Sequence, residues 1–234
     1  MIICLICARK GSKRLPRKNL LKIKNKSLLA HSIIHAKSIQ EINDVVVSTD
    51  CKEIAEEGKM YGAKVPFLRP RSLAKDDTPE WEVWQHALKH YNNKNIFPTT
   101  IIILPTTAPL RKKDNIKSAL EIYNSSYCDG VISVTESNRN PTFNMVKENS
   151  LGFAELAIKP EKKIFRAQDA KPFFDVTTVC YVMRPSFILS SNSIFDGNIK
   201  LNHIPKENSV DIDTELDLKW ANFLIDEVDT NVTS

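Results

Sequence analysis

The chain of 234 residues is 42% hydrophobic and 26% charged, a globular composition able to bury a full core, and it reads as a single domain over 1–234. No apolar run is long enough to cross a bilayer and the N-terminus lacks the pattern of a secretory signal, so a soluble, cytoplasmic protein with no membrane partner is expected. Net charge is +5, yet nine Lys or Arg residues and no acid fall between Arg9 and Lys26, leaving the remainder at −4; charge so concentrated favours a compact polyanion over nucleic acid, whose binders spread basic residues along a face.

In chain order, MIICLIC is a continuous apolar run, as expected of a buried parallel strand, and the basic loop ARKGSKRLPRKNL follows it. SLLAHSIIHAKSI spaces its apolar residues for a helix with one buried face. DVVVSTD is a second strand, CKEIAEEGKMYG a short helix closed by Gly62, and AKVPF a brief strand. In TPEWEVWQHALKHY, Thr78 is placed to cap a helix with Pro79 in its first turn, and Trp81, Trp84, Leu88 and Tyr91 form its core side. TTIIILP, KKDNIKSALEIYN and DGVISVT read as strand, helix and strand.

Over 138–176 the periodicity weakens and prolines interrupt it, so this stretch is expected to be an inserted arm or lid of short strands, used for dimerisation. TVCYVM, a short helix after Pro185, an extended IKLNHIP and the helix TELDLKWANFLIDEV complete the chain. Strands alternating with helices predict an α/β fold, an open and mostly parallel sheet with helices on both faces. Ligands of such sheets bind beyond the carboxyl ends of the strands, so residues 8 to 19, Ser48 to Asp50 and Pro105 to Arg111 should meet on one rim.

Five cysteines, Cys4, Cys7, Cys51, Cys128 and Cys180, are odd in number and scattered, unlike a disulfide framework, and point to a reducing compartment. The Cys4-x-x-Cys7 spacing raises zinc or redox chemistry. It lies inside a strand without further paired ligands, so packing is its expected role.

Two constellations carry chemistry. The first is the strand ending in Ala8 with its Gly11-Ser12 turn, which offers backbone N–H groups, while Arg9 and Lys18 supply charge to oxygens that grow more negative as a phosphoanhydride breaks. It matches neither the Walker nor the G-x-G-x-x-G pattern. Lys10, Arg14 and Arg17 are expected to be solvated or to steer anions. The second is SVDIDTELD, where Asp211 and Asp213, two apart in an extended segment, present their carboxylates to one side. Such hard oxygen donors suit Mg²⁺, with Thr214 and Asp217 left to cap the last helix. A phosphate loop and a carboxylate pair on one sheet imply phosphoryl or nucleotidyl transfer, driven by positioning and charge neutralisation.

ARKGSKRLPRKN resembles the nucleotide-binding signature of the acylneuraminate cytidylyltransferases, the CMP-sialic acid synthetase family. VVVSTD, AKVPFLRP, LPTTAPLR and VDIDTELDL follow in that family's order, so the resemblance covers nearly the whole chain. It implies a nucleotidyltransferase fold, Rossmann-like, and a homodimer formed through an inserted arm. It implies too that Mg²⁺, or Mn²⁺ in its place, supports coupling of CTP to a nine-carbon 2-keto-3-deoxy sugar acid (sialic, legionaminic or pseudaminic), releasing pyrophosphate. By position, Arg9, Ser12, Lys18 and Asn19 would hold CTP, Arg69 and the Asp77-Thr78 turn would lie near the nucleotide, and Asp211 and Asp213 would bind the metal.

The departures concern the sugar. Relatives read Q-P-T-S-P-L-R where this chain has Pro105 to Arg111 without the amide, and R-R-Q-D and N-G-A-x-Y where it has Arg166, Ala167, Gln168, Asp169 and Thr177, Thr178, Val179, Cys180, Tyr181. Thr107, Arg166, Gln168 and Tyr181 are the remaining candidates for the sugar acid. The alternatives are CMP transfer to a shorter acid such as Kdo, or a binding module without turnover.

Overall fold

The computed structural model describes residues 1–230, and for 167 and 226–230 only the backbone. The expected single domain therefore extends, at 231–234, outside the described residues. β1 (Ile2–Cys7) leads through the basic loop to a two-residue hairpin, β2 (Lys22–Ile23) and β3 (Lys26–Ser27), whose turn places Lys24 and Asn25 at φ 44° and 65°. α1 (Leu28–Lys37) starts where the Ser27 hydroxyl accepts the Ala30 N–H at 3.0 Å. Then come β4 (Asp44–Ser48), α2 (Lys52–Met60), α3 (Glu80–Asn92), β5 (Thr100–Ile103), α4 (Lys113–Ser125) and β6 (Gly130–Glu136). A small hairpin, β7 (Val146–Glu148) and β8 (Ala154–Leu156), precedes β9 (Phe174–Met183), α5 (Pro185–Ser190), β10 (Ile199–His203) and α6 (Glu215–Thr230).

Among the described residues, six strands form the main sheet in the order β10-β6-β9-β5-β1-β4. Five run parallel, and β9, set between β5 and β6, is antiparallel to both. Because side chains alternate across a strand, β1 sends Cys4 and Ile6 to the face covered by α1, α2 and α4, and Ile3 and Leu5 to the face covered by α3 and α5. Trp81, Trp84, Leu88 and Tyr91 are buried on the second face, as their helical spacing requires. The same alternation answers the Cys4-x-x-Cys7 question. Cys4 belongs to one core and Cys7 packs against the other, both thiols are free, and burial raises both pKa values, Cys7 to about 12.

Gly62 does close α2, at φ 81°. Two local expectations need correction. AKVPF is not a strand: Lys64 makes an isolated bridge to Val46, and the next bridge, from Leu68 to Thr49, falls just after the segment, because Pro66 between them has no N–H for a ladder. Thr78 does not cap α3. Pro79 is the N-cap, the helix starts at Glu80, and the Thr78 hydroxyl donates instead to the Ser72 carbonyl at 3.3 Å. Proline disfavours helical geometry in the residue before it, which moves the boundary. At α6 the expected arrangement is present: the Asp217 carboxylate accepts the Thr214 N–H at 2.7 Å, and the Asp217 N–H reaches the Thr214 hydroxyl at 3.3 Å. No helix of the described residues is long and apolar enough to cross a membrane.

Candidate active site

The loop after β1 is held in place by its own backbone and by two side chains. The Ala8 N–H donates to the Ser48 carbonyl at 3.0 Å and the Lys10 N–H to the Asp50 carboxylate at 2.8 Å, which ties the loop's start to the end of β4. Leu15 anchors its middle in a third core cluster with Ile23, Leu28 and Ile212. The buried Asn19 amide donates to the Arg9 carbonyl at 2.8 Å and accepts the Thr106 hydroxyl at 2.6 Å, joining this loop to the one after β5. That second loop is clamped by Arg111, a fully buried guanidinium that donates to the carbonyls of Ala108, at 2.8 Å, and Pro105. Among the described residues its Nη1 has no hydrogen-bond partner, and burial lowers its pKa to about 10.

The antiparallel strand supplies the third wall. Between the pairs Ile132–Tyr181 and Val134–Val176, one residue of β6 faces four of β9, a bulge that Ser133 closes by donating to the Cys180 carbonyl at 2.9 Å. Bulges of this kind re-aim side chains. Here Thr178 is turned to the rim, where it accepts the Thr107 hydroxyl at 3.1 Å and donates to the Asp211 carboxylate at 3.0 Å. The Ile212 N–H bonds the Thr107 carbonyl at 2.9 Å, fixing the segment that carries Asp211 and Asp213 beside this wall.

These pieces enclose a cavity of about 310 Å³. Arg9, Gly11, Ser12, Lys18, Asn19, Thr107, Asp211 and Asp213, drawn from three distant parts of the sequence, all line it. An adjoining cavity of about 200 Å³ is lined by Arg69, Leu73, Thr78 and Val83 and shares Cys7, Arg9 and Glu80 with the first. Arg69 is buried and fixed on Ser48, with Nε 3.1 Å from the hydroxyl and Nη2 2.6 Å from the carbonyl.

The charges are already matched. Asp213 accepts Lys18 Nζ at 2.9 Å and Arg14 at 3.0 Å, while Asp76 accepts Arg9 at 2.6 Å and Lys13 at 2.7 Å. Arg17 pairs with Glu53 on the outer side of the loop. Side-chain exposure separates the cations: Lys18 is 16% and Arg9 33% exposed, against 66% to 80% for Arg17, Arg14 and Lys13. The hydrogen bond from Lys13, assisted by Arg9, holds the Asp76 carboxyl below the usual range. At Glu80 the surrounding protein mass raises the carboxyl, against the pull of Trp84 and Arg69 and reinforced by the Asp211 charge.

Not every expected site residue reaches a cavity. Ala8 is buried under the loop, where its contribution is its backbone, and Asp77 is exposed on its turn and lines neither cavity. Tyr181 is buried in the sheet with its ring 5.8 Å from that of Trp84. Arg166 and Gln168 are exposed around the turn Ala167–Asp169, Arg166 facing Asp169 at 3.7 Å, and neither lines either of these two cavities. Conversely, Glu80 and Thr178 line the site without having been predicted, while Thr106 belongs to the Pro105 to Arg111 stretch expected on the rim. Nothing in the pattern marks Glu80 beyond its place after Pro79, and Thr178 requires the bulge to be known.

Residues 3–196 match the family described as Cytidylyltransferase. The chain is 34% identical over 229 residues to a CMP-N,N'-diacetyllegionaminic acid synthase of Campylobacter jejuni, a match covering 96% of this chain and 94% of that one. It is 31% identical over 225 residues to a pseudaminic acid cytidylyltransferase of Campylobacter jejuni, covering 95% of each. Among solved structures, CMP:2-keto-3-deoxy-manno-octonic acid synthetase complexed with CTP superposes with a TM-score of 0.71 at 17% identity, over 97% of this chain and 98% of that one, which establishes the likeness of fold.

Proposed function

The chain belongs to the cytidylyltransferase family, and from that premise we propose that it transfers CMP from CTP to a nonulosonate, a nine-carbon 2-keto-3-deoxy sugar acid of the sialic, legionaminic or pseudaminic kind, releasing pyrophosphate. The observation that carries this reading is the convergence, at one cavity, of the Gly11-Ser12 turn, the two sheltered cations Arg9 and Lys18, and the Asp211 and Asp213 carboxylates.

In the reaction the anomeric O2 hydroxyl of the sugar acid attacks the α-phosphorus in line and gives up its proton to solvent, the O2–phosphorus bond forms, and the bond to the bridging oxygen of pyrophosphate breaks. Arg9 and Lys18 meet the charge that grows on the departing phosphates, exchanging Asp76 and Asp213 for phosphate oxygens. Backbone N–H groups of the Gly11-Ser12 turn hold the triphosphate without needing to reorganise. Arg69, fixed on Ser48, and Thr78 border the nucleoside half in the adjoining cavity. Thr107 and Thr178 present hydroxyls to the sugar.

Asp211 and Asp213 fit a divalent cation. Both carboxylates line the cavity, the Thr178 hydroxyl orients one of them, and among the described residues no group of three or more His, Cys, Asp or Glu side chains is available to cage an ion. Mg²⁺ takes one or two carboxylates and completes its shell from phosphates and water, and Mn²⁺ can replace it. When bound it lowers the pKa of the attacking hydroxyl and neutralises the leaving pyrophosphate.

Homodimer formation belongs to the same reading. Val146, Leu151 and Phe153 on the β7–β8 hairpin, and Phe165 and Val176 farther along the 138–176 arm, are exposed apolar side chains. Burial against a second copy removes that surface from water and carries Arg166 and Gln168 to the partner's cavity, where the sugar's carboxylate needs a cation. The reading also places the enzyme in the cytoplasm.

The test measures pyrophosphate release with Mg²⁺ and each of the four NTPs against a panel of 2-keto-3-deoxy sugar acids that includes the eight-carbon Kdo. CTP-dependent turnover with a nonulosonate, reduced at least about a hundredfold in Asp211→Ala, is expected. Turnover with another NTP, or with none of the acids, would sink the proposal.

A further inference from the structure

Glu80 has no part in the chemistry described above, yet it occupies the one stretch of wall that both cavities share with Cys7 and Arg9. It is the first residue of α3, set by the Pro79 N-cap, and the rigid helix behind it is anchored in the core through Trp81, Trp84 and Leu88. Its side chain is accessible to solvent, and the spaces it lines are the two cavities, so a ligand can reach it. The buried indole N–H of Trp84 stands beside it without completing a hydrogen bond of good geometry.

The two cavities differ in what they accept. The first holds the Gly11-Ser12 turn, Lys18 and the paired carboxylates, which suit phosphates and metal. The second adds Leu73 and Val83, with Arg69, Thr78, Lys75 and Asp76, a mixture of apolar contact and polar groups that suits a heterocycle with hydrogen-bonding edges. A nucleotide with its phosphates in the first and its base toward the second passes Glu80. The edge that distinguishes cytosine from uracil bears an amino donor at position 4 where uracil bears a carbonyl acceptor. An ionised carboxylate, which only accepts, takes a hydrogen bond from the amino group and repels the carbonyl.

We propose that Glu80 selects the base of the nucleotide substrate, accepting a hydrogen bond from the 4-amino group of cytosine at the junction of the two cavities. The assignment rests on the CTP reading above and extends it to the residue that enforces CTP over UTP. Arg69 cannot take this role, because a guanidinium donates and cannot accept from an amino group, and its Nε and Nη2 already bond Ser48. A site that hydrogen-bonds a substrate group rejects an analogue that lacks it far more strongly than an apolar pocket can, since the polar group is then left unpaired.

The experiment measures CTP and UTP binding by calorimetry with the full chain and Mg²⁺, without any sugar acid, for wild type and Glu80→Gln. The glutamine amide offers a donor and an acceptor and pairs with either base. The wild type is expected to prefer CTP, and the CTP-to-UTP affinity ratio to fall at least about tenfold in the variant, with the thermal transition little changed. Should Glu80→Gln fail to fold, Glu80→Asp withdraws the acceptor by one methylene and is expected to weaken CTP without weakening UTP. An unchanged ratio in Glu80→Gln, unaltered CTP affinity in Glu80→Asp, or a wild type that binds both nucleotides equally overturns the assignment. If the binding ratio shifts as expected while no acid in the panel supports pyrophosphate release, the sugar-acid reading fails and the assignment of Glu80 stands.

Discussion

Lys18 and Arg9 differ from the other cations of the basic loop in one respect that matters to a ligand, shelter from solvent. A sheltered cation interacts more strongly with an anion than a solvated one, so these two are suited to phosphate contact while Arg14 and Lys13 contribute mainly to the long-range field. Shelter also has a cost elsewhere. His35 lies on α1 with Arg111 and His31 nearby, and burial, aided by those charges, holds it neutral with its pKa lowered to about 3. Its ordinary value is 6.5. As pH falls between these values the unfolded chain binds a proton that the fold excludes, so stability declines with acidification, by up to about 2 kcal/mol at pH 5 from this residue. Thermal melts from pH 7 to pH 5 should show the loss, and His35→Gln should flatten the slope; an equal slope in the variant would assign the loss elsewhere.

At the scale of elements, the two ends that meet at the cavity depend on features of opposite legibility. The start of α6 could be read from Thr214 and Asp217, three residues apart, because a capping box is a local pattern. Asp217 also accepts the Asp213 N–H at 3.1 Å, so the cap of the helix orients the site carboxylate. Asp217→Ala is therefore expected to cost about 1 kcal/mol of stability and to raise the Mg²⁺ concentration needed for half-maximal turnover. Stability loss alone, with an unchanged metal requirement, would separate the cap from the site. The bulge in β9 was not legible. Thr177 and Thr178 look like ordinary strand residues, and only pairing with both β5 and β6 reveals that β9 carries extra residues there. In the same way AKVPF has strand composition but is denied a ladder by its proline.

At the scale of the molecule, the parallel strands deliver their loops to one rim, as the alternation of strand and helix predicted. The antiparallel β9 was not foreseen, and its direction is what brings its N-terminal half, with Thr178, to that rim. Arg166 and Gln168 line neither of the two cavities described above, so the proposed dimer is testable by mixing. Light scattering should give a dimer mass. Arg166→Ala and Asp211→Ala proteins, each inactive alone, should regain turnover when refolded together, because one site of the hybrid then has both residues intact. A hybrid that stays inactive would place Arg166 in its own subunit or outside catalysis.

What the sequence determined by itself was whatever is written in short-range pattern. Strand and helix order follow from apolar spacing, the phosphate loop from clustered charge after the first strand, and the carboxylate pair from two aspartates in an extended segment. What only the tertiary structure decided was which of these charges face each other and which residues between them line the site. Lys18 and Asp213 are 195 residues apart in the chain and 2.9 Å apart in space, and Glu80 and Thr178 acquire their positions from a helix start and a bulge. Those contacts depend on how the sheet orders and directs its strands, a property of many residues at once that no local pattern records.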